Sequence, residues 1–303
     1  MYTIARYFAG FFPGKVQKIA VNAGLGCPNR DGTIGSGGCI YCNNAAFNPR
    51  YAYENGMDPL GDAVPGSITR QLQKGVEFFA TKGTPYAYLA YFQSYTNTYG
   101  PTDKLIALYE EALSFPGVAG LVIATRPDCL APDLLDYFQR RFGNLAPQSG
   151  KPFLLVELGI ESTNDETLRR INRGHDFASA VEAADQLHSR GIQLGAHLIL
   201  GLPGETHQDF MAHARRISQL PVSTLKLHQL QVIKGTQLER MYAADPSAFH
   251  LFTPQEYAAV VKDFVACLRP DIALDRFVSE SPKSLLVAPA WGLKPNEFSK
   301  LLD

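Results

Sequence analysis

Cys27-Pro28-Asn29-Arg30-Asp31-Gly32-Thr33-Ile34-Gly35-Ser36-Gly37-Gly38-Cys39-Ile40-Tyr41-Cys42 gathers three cysteines on one short stretch, with four glycines that let the backbone wrap closely around a bulky group. Two residues separate Cys39 from Cys42, a spacing that turns both thiolates toward one inorganic centre. Eleven residues separate Cys27 from Cys39, so a third thiolate arrives on a flexible excursion. The pattern points to a metal cluster. A structural zinc site would close on four Cys or His ligands, and the next cysteine is Cys129 and the next histidine His175, which makes zinc the weaker metal reading. A disulfide is weaker again: five cysteines is an odd count, three thiols cannot all pair, and no secretory signal precedes them.

Outward from this stretch the chain reads as alternating strands and helices. Strands start near residues 16, 86, 118, 153, 192 and 223, and each is followed by a helical pattern. Val16 to Asn22 delivers the chain into the cysteine loop. After a Pro/Gly/Asn-rich connection, Ser67 caps a helix carrying Ile68, Leu72, Val76 and Phe79. Tyr86 to Phe92 is a strand ending in the polar, aromatic Gln93-Ser94-Tyr95-Thr96-Asn97-Thr98-Tyr99-Gly100, and Val118 to Thr125 ends in Thr125-Arg126-Pro127-Asp128. Phe153 to Ile160 is apolar except for Glu157, as a parallel strand covered on both faces must be. It runs into Gly159-Ile160-Glu161-Ser162. Thr163 and Glu166 read as a capping box for the helix before Asn172-Arg173-Gly174-His175. Ile192 to Leu200 leads to Gly201-Leu202-Pro203-Gly204-Glu205-Thr206. Val222 to Val232 is the sixth strand, with Lys226 and His228 on one face. Thr253 and Pro254 open the last long helix, with Cys267 on its apolar side, and the chain from Asp271 reads as a tail with Trp291 and a terminal helix.

Parallel strands in this order imply a partial (β/α)6 TIM-like barrel of α/β class, one domain over residues 1–303 with a core at about 16–268 and a C-terminal extension at 269–303. Residues 1–17 are an aromatic-rich segment packing across the bottom or side of the barrel. The 46% hydrophobic content supports a full core, and the net charge of −1 provides no global basic field for nucleic acid. No apolar run is long enough to span a bilayer, and the N-terminal phenylalanines are interrupted, so a cytoplasmic protein is expected.

The cysteine stretch resembles the radical S-adenosylmethionine (SAM) superfamily, including aromatic Tyr41 before the last cysteine. The usual first spacing there is three residues. Longer first loops occur in the branch of Elongator's catalytic subunit, and CPNRDGT followed by GGCIYC is most similar to bacterial proteins of the YhcC type. GLPGET after HLIL is found in Elongator's catalytic subunit and in oxygen-independent coproporphyrinogen oxidases. The resemblance implies a [4Fe-4S] cluster on Cys27, Cys39 and Cys42, whose open iron takes the amino and carboxylate groups of SAM. One electron, from a donor such as flavodoxin or ferredoxin, then gives a 5'-deoxyadenosyl radical that abstracts a substrate hydrogen. It further implies SAM contacts at Tyr41, Gln93, Ser94, Thr125, Glu161, Arg173, His197 and Ile233: the strand exit at Gln93-Ser94 for the amino group, Glu161 for the ribose, Arg173 twelve positions later for the carboxylate, and Val232-Ile233-Lys234-Gly235-Thr236 for the adenine. Each residue also has an ordinary reading. Glu161 can partner a helix dipole, Arg173 can be a surface charge, and His197 can be a satisfied core histidine. Elongator's action on tRNA wobble uridine makes a tRNA nucleoside the expected substrate. A small metabolite, or a non-catalytic metal-containing RNA-binding protein, are the alternatives. The chain has no room for an acetyltransferase domain, so an acetyl-CoA-dependent reaction is not expected.

Overall fold

The structure, a computed structural model, describes residues 1–46, 48, 51, 66–80, 83, 85–143 and 150–302. Most of the connection before Ser67 and the middle of the 143–152 loop lie outside the described residues. Strands β1 (Val16–Val21), β2 (Ala87–Phe92), β3 (Val118–Thr125), β4 (Phe153–Glu161), β5 (Gln193–Leu200), β6 (Thr224–Gln229) and β8 (Ala273–Arg276) form one seven-stranded sheet. Every pairing is parallel and the spatial order is the chain order. The first and last strands do not pair, so the sheet curls into a half-barrel with an open side.

The six anticipated strands are in place. A seventh, β8, lies in the stretch read as a tail: its sequence Ala-Leu-Asp-Arg is short and half charged, too little to show a strand pattern. The expected strand Val222 to Val232 is divided. Its end becomes β7 (Val232–Ile233), which leaves the sheet and pairs antiparallel with β9 (Leu286–Ala288).

The strand β4 shows how one pattern serves two faces. Leu154, Val156, Leu158 and Ile160 point outward into the main core, against helices that include α3 (Thr102–Leu113), α4 (Pro132–Phe142) and α6 (Phe177–Ser189). Phe153, Leu155, Glu157, Gly159 and Glu161 point inward, and their character changes along the strand from apolar to charged to small. The apolar bottom is filled by α1 (Ile4–Ala9). Its Tyr7 and Phe8, with Phe12, pack on Phe153, Leu155, Leu89 and Val122, and Tyr7 donates to Gln193 at 2.9 Å. Thr3 bridges in parallel to Leu274, so the N-terminal segment covers the edge of β8 as well as the floor of the lumen.

Helix α2 (Ile68–Ala80) has Ser67 Oγ accepting from Arg70 N–H, and α9 (Pro254–Cys267) has the capping box of Thr253 and Glu256. One expected cap is shifted. Asn164, rather than Thr163, caps α5 (Asp165–Arg170): Thr163 Oγ1 is 2.7 Å from His213, and Glu166 pairs with Arg170 one turn on. Helix α7 (His207–Gln219) is boxed by Thr206 and Asp209. Helix α8 (Gln237–Ala244), capped by Thr236, was not apparent in the sequence. The tail closes with α10 (Pro295–Ser299), where Trp291 stacks on Phe298 at 5.8 Å and donates to the Phe252 carbonyl. Among the described residues no helix is long and apolar enough to cross a membrane.

Candidate active site

The C-terminal ends of the parallel strands meet around one cavity, as barrel geometry dictates. Cys27, Cys39 and Cys42 line it as free thiols, together with Tyr41, Gln93, Thr125, Glu161, Arg173, His197 and Ile233. Ser94 is the expected cofactor residue that does not: it is buried with its hydroxyl turned to Asn48. The next residue, Tyr95, takes φ 62° and lines the cavity in its place.

The cysteine loop is held from two sides. Arg30 N–H and Asp31 N–H donate to the Cys27 carbonyl, Gly38 N–H to Asn29, and Cys42 N–H to Cys39. Gly37 and Gly38 have φ 85° and 78°, a backbone that a side chain would oppose. Asn29 Nδ2 donates to the Asn172 carbonyl at 2.5 Å, and Asn172 Nδ2 returns a bond to the Gly38 carbonyl at 2.7 Å. The cysteine loop and the Asn172-Arg173 turn are thereby clasped together, and Ile40 N–H to the Ile171 carbonyl adds a rung.

Arg173 is 7% exposed, which excludes a solvated surface charge. Its Nη1 is 3.6 Å from Cys39 Sγ, its Nη2 donates to the Gly159 carbonyl, and Glu161 Oε1 lies 3.8 Å away. Burial works against its charge, but Tyr41, Cys39 and Glu161 outweigh it and keep the guanidinium firmly protonated. Glu161 sits at φ 68°, an uncommon conformation that aims its carboxylate into the cavity. Burial, and after it the neighbouring Cys39, push the Cys42 thiol up to about 12, while Arg30 and Arg173 pull against them. Burial and Arg173 bring His175 down to about 4, so it is neutral at neutral pH.

Arg126 is a residue whose role the sequence did not reveal. It is 2% exposed, held by both oxygens of Asp128, and donates to the Arg173 carbonyl at 2.8 Å, which fixes the backbone carrying Arg173. Cys129, three residues beyond the cavity-lining Thr125-Arg126 pair, is not itself among the lining residues, and burial lifts its thiol to about 12.

The residues present fit a cluster and an amino-acid-bearing ligand. Arg173 Nε is buried with no hydrogen-bond partner, and so is Asn44 Nδ2, and both side chains line the cavity. An orphaned guanidinium N–H beside the Cys39 thiol is a ready seat for a carboxylate. Among the described residues no three His, Cys, Asp or Glu side chains close on a single ion, so Cys27, Cys39 and Cys42 share the cavity without meeting at one ion-sized point.

Residues 21–217 match the model of the Radical SAM superfamily, and residues 222–302 match the Radical_SAM C-terminal domain. Protein YhcC of Escherichia coli (strain K12) is 32% identical over 278 residues, 91% of this chain and 82% of YhcC. The tRNA uridine(34) acetyltransferase of Dehalococcoides mccartyi is 25% identical over 182 residues, which is 58% of this chain and 36% of that protein. Among solved structures, Elp3 of the archaeon Methanocaldococcus infernus aligns with a TM-score of 0.66 at 17% identity, covering 95% of this chain and 62% of that one.

Proposed function

The chain belongs to the radical SAM superfamily, and from that premise we propose that it is a radical SAM enzyme acting on a nucleoside of tRNA. The superfamily's cofactors are a [4Fe-4S] cluster and SAM. When bound, they supply a 5'-deoxyadenosyl radical on one-electron reduction, the electron coming from a small donor protein such as a flavodoxin or ferredoxin. The observation that carries the reading is that Cys27, Cys39 and Cys42 line the same cavity as Arg173 and Glu161. The three thiolates hold the cluster. Arg173 holds the SAM carboxylate through its unpartnered Nε–H, and Glu161 accepts from the ribose hydroxyls. Tyr41, Gln93, Thr125, His197 and Ile233 shape the remaining cofactor seat, and Asn44 offers a further donor. The α1 plug closes the floor of the lumen and keeps water out from that end. The continuous sheet, with β5 paired to β6 and β6 to β8, supports a single domain across the boundary between the two matched models.

The choice of tRNA is supported by likeness to a tRNA uridine(34) acetyltransferase over part of the chain. Anaerobic reconstitution with iron and sulfide should produce the broad visible absorption of an iron–sulfur protein, lost in Cys27→Ala, and SAM with reductant should give 5'-deoxyadenosine. The tRNA nucleoside profile of cells lacking the gene should then differ from that of the parent at one modified nucleoside. Zinc retention without deoxyadenosine, or an unchanged profile, sinks the first or second half of the reading respectively.

A further inference from the structure

Deep in the half-barrel four charged groups pair with one another, and a fifth beside them does not. Lys18, Glu157, Lys226 and Asp275 form a ring: Lys18 Nζ is 3.2 Å from Glu157 and 2.7 Å from Asp275, and Lys226 Nζ is 2.6 Å from Glu157 and 3.2 Å from Asp275. Two ammonium groups meet two carboxylates, and His197 adds a bond to Glu157 at 2.9 Å. Arg276 brings a positive charge that nothing answers. Its guanidinium makes no hydrogen bond or ion pair among the described residues, and its Nε is buried.

The backbone is built to place that charge inside. Pairing of β6 with β8 shifts register so that Lys226 faces Arg276 rather than Asp275. In a regular strand Arg276 would follow Leu274 to the helix-covered face. The irregularity turns Asp275 and Arg276 inward together, the way bulges re-aim side chains beside functional sites. Arg276 then lines both the main cavity and a side cleft of ≈ 740 Å³ between β1 and β8. The cleft has Tyr51, Phe78, Phe79 and Tyr91 on its walls, and its size suits a nucleotide-sized ligand. His228 faces the same cavity with Nε2 buried and unpartnered, its ring stacked on His197 at 5.8 Å. Burial, then Arg276, hold His228 well below the usual imidazole range, so it is uncharged at neutral pH and leaves Arg276 as the surplus cation.

We propose that Arg276, assisted by His228, is the phosphate-reading subsite of the substrate pocket: a nucleotide enters through the side cleft, its base against the aromatic wall and its phosphate on the guanidinium. A planar guanidinium fork matches phosphate oxygens in pairs, and aromatic faces accept any base. This deepens the nucleoside-substrate reading above and rests on it.

Isothermal titration of the reconstituted holoenzyme with uridine 5'-monophosphate, uridine, inorganic phosphate and acetate tests it. The monophosphate should bind at least about tenfold more tightly than uridine, and phosphate should compete with it where acetate does not. Arg276→Met, which keeps the apolar stem, should erase the difference between nucleotide and nucleoside, and Arg276→Lys should restore part of it. An unchanged thermal midpoint shows that the variants are folded. Equal binding of nucleotide and nucleoside, undiminished nucleotide binding in Arg276→Met, displacement by acetate as readily as by phosphate, or no binding of nucleotide or phosphate at all, overturns the subsite. Equal affinity for phosphate and nucleotide overturns the nucleotide assignment in favour of a free anion. An unchanged tRNA profile removes tRNA while leaving these binding results standing, so the two failures are separable.

Discussion

Gly159 shows how little spare room the cofactor wall has. A Cβ there would lie 2.7 Å from Arg173 Nη2 and 2.8 Å from Glu161 Oε1, both of them ends of flexible side chains. Gly159→Ala should therefore fold, yet displace the two groups assigned to SAM. Its KM for SAM in deoxyadenosine formation should rise on the order of tenfold while the thermal midpoint barely moves; an unchanged KM would show that neither group holds SAM. Glu157 makes a different prediction. Burial alone would raise its carboxyl, but Lys18, Lys226 and His197 outweigh that and hold it well below the usual carboxylate range. A depressed carboxylate contributes stability that is fully present above about 4.5 and is lost as pH falls through the lower folded value. Glu157→Gln should be less stable than the parent at neutral pH, and the gap should narrow on acidification below that point, as followed by urea titration at stepped pH. A constant gap would remove the ion ring as its cause. Individual residues differ in how readable they were. The spacing of Glu161 and Arg173 was visible in the sequence, because two motif ends fix it. Arg126 and Arg276 were not, since each acts through a neighbour that only the fold supplies: the carbonyl of Arg173 in one case, the register shift against β6 in the other.

At the scale of elements, pattern length decided what could be read. Phe153 to Glu161 is long enough to display both of its faces, and strands such as β3 and β5 announce themselves in the same way. The strand β8 is four residues long, with two charges, and its place depends on β6 and on the bridge from Thr3 to Leu274. Helix α5 was legible in its position but not in its cap, because Thr163 is engaged by His213 from α7, a tertiary claim on a residue that local chemistry would have used for capping. The aromatic N-terminal segment was read as a floor or flank, and Phe153 shows which: its ring lies 5.0, 5.5, 5.8 and 6.4 Å from those of Phe11, Phe12, Phe8 and Tyr7. Phe153→Ala should cost about 3–5 kcal/mol in chemical denaturation, because it empties the centre of that cluster. A loss below about 1 kcal/mol would mean that α1 does not depend on the lumen floor for its place.

For the whole molecule, the open sheet and the near-zero net charge act together. A closed barrel would admit ligand only at its mouth; here β1 and β8 do not pair with each other and leave a lateral cleft that joins the cofactor wall through Arg276. A net charge of −1 cannot steer a polyanion from a distance, so any grip on tRNA has to come from local cations. Arg30 and Arg276 line the cavity, and Lys234 follows the cavity-lining Ile233. Three phosphate contacts would give a slope of about −2 to −2.7 when the logarithm of the tRNA association constant is plotted against the logarithm of salt concentration, using about 0.7 to 0.9 per contact. Removing Arg276 should reduce the magnitude of that slope by just under one. A slope several times steeper would place the RNA on a basic surface elsewhere, and a flat one would leave tRNA without the ionic contacts that the half-barrel's mouth and side cleft provide.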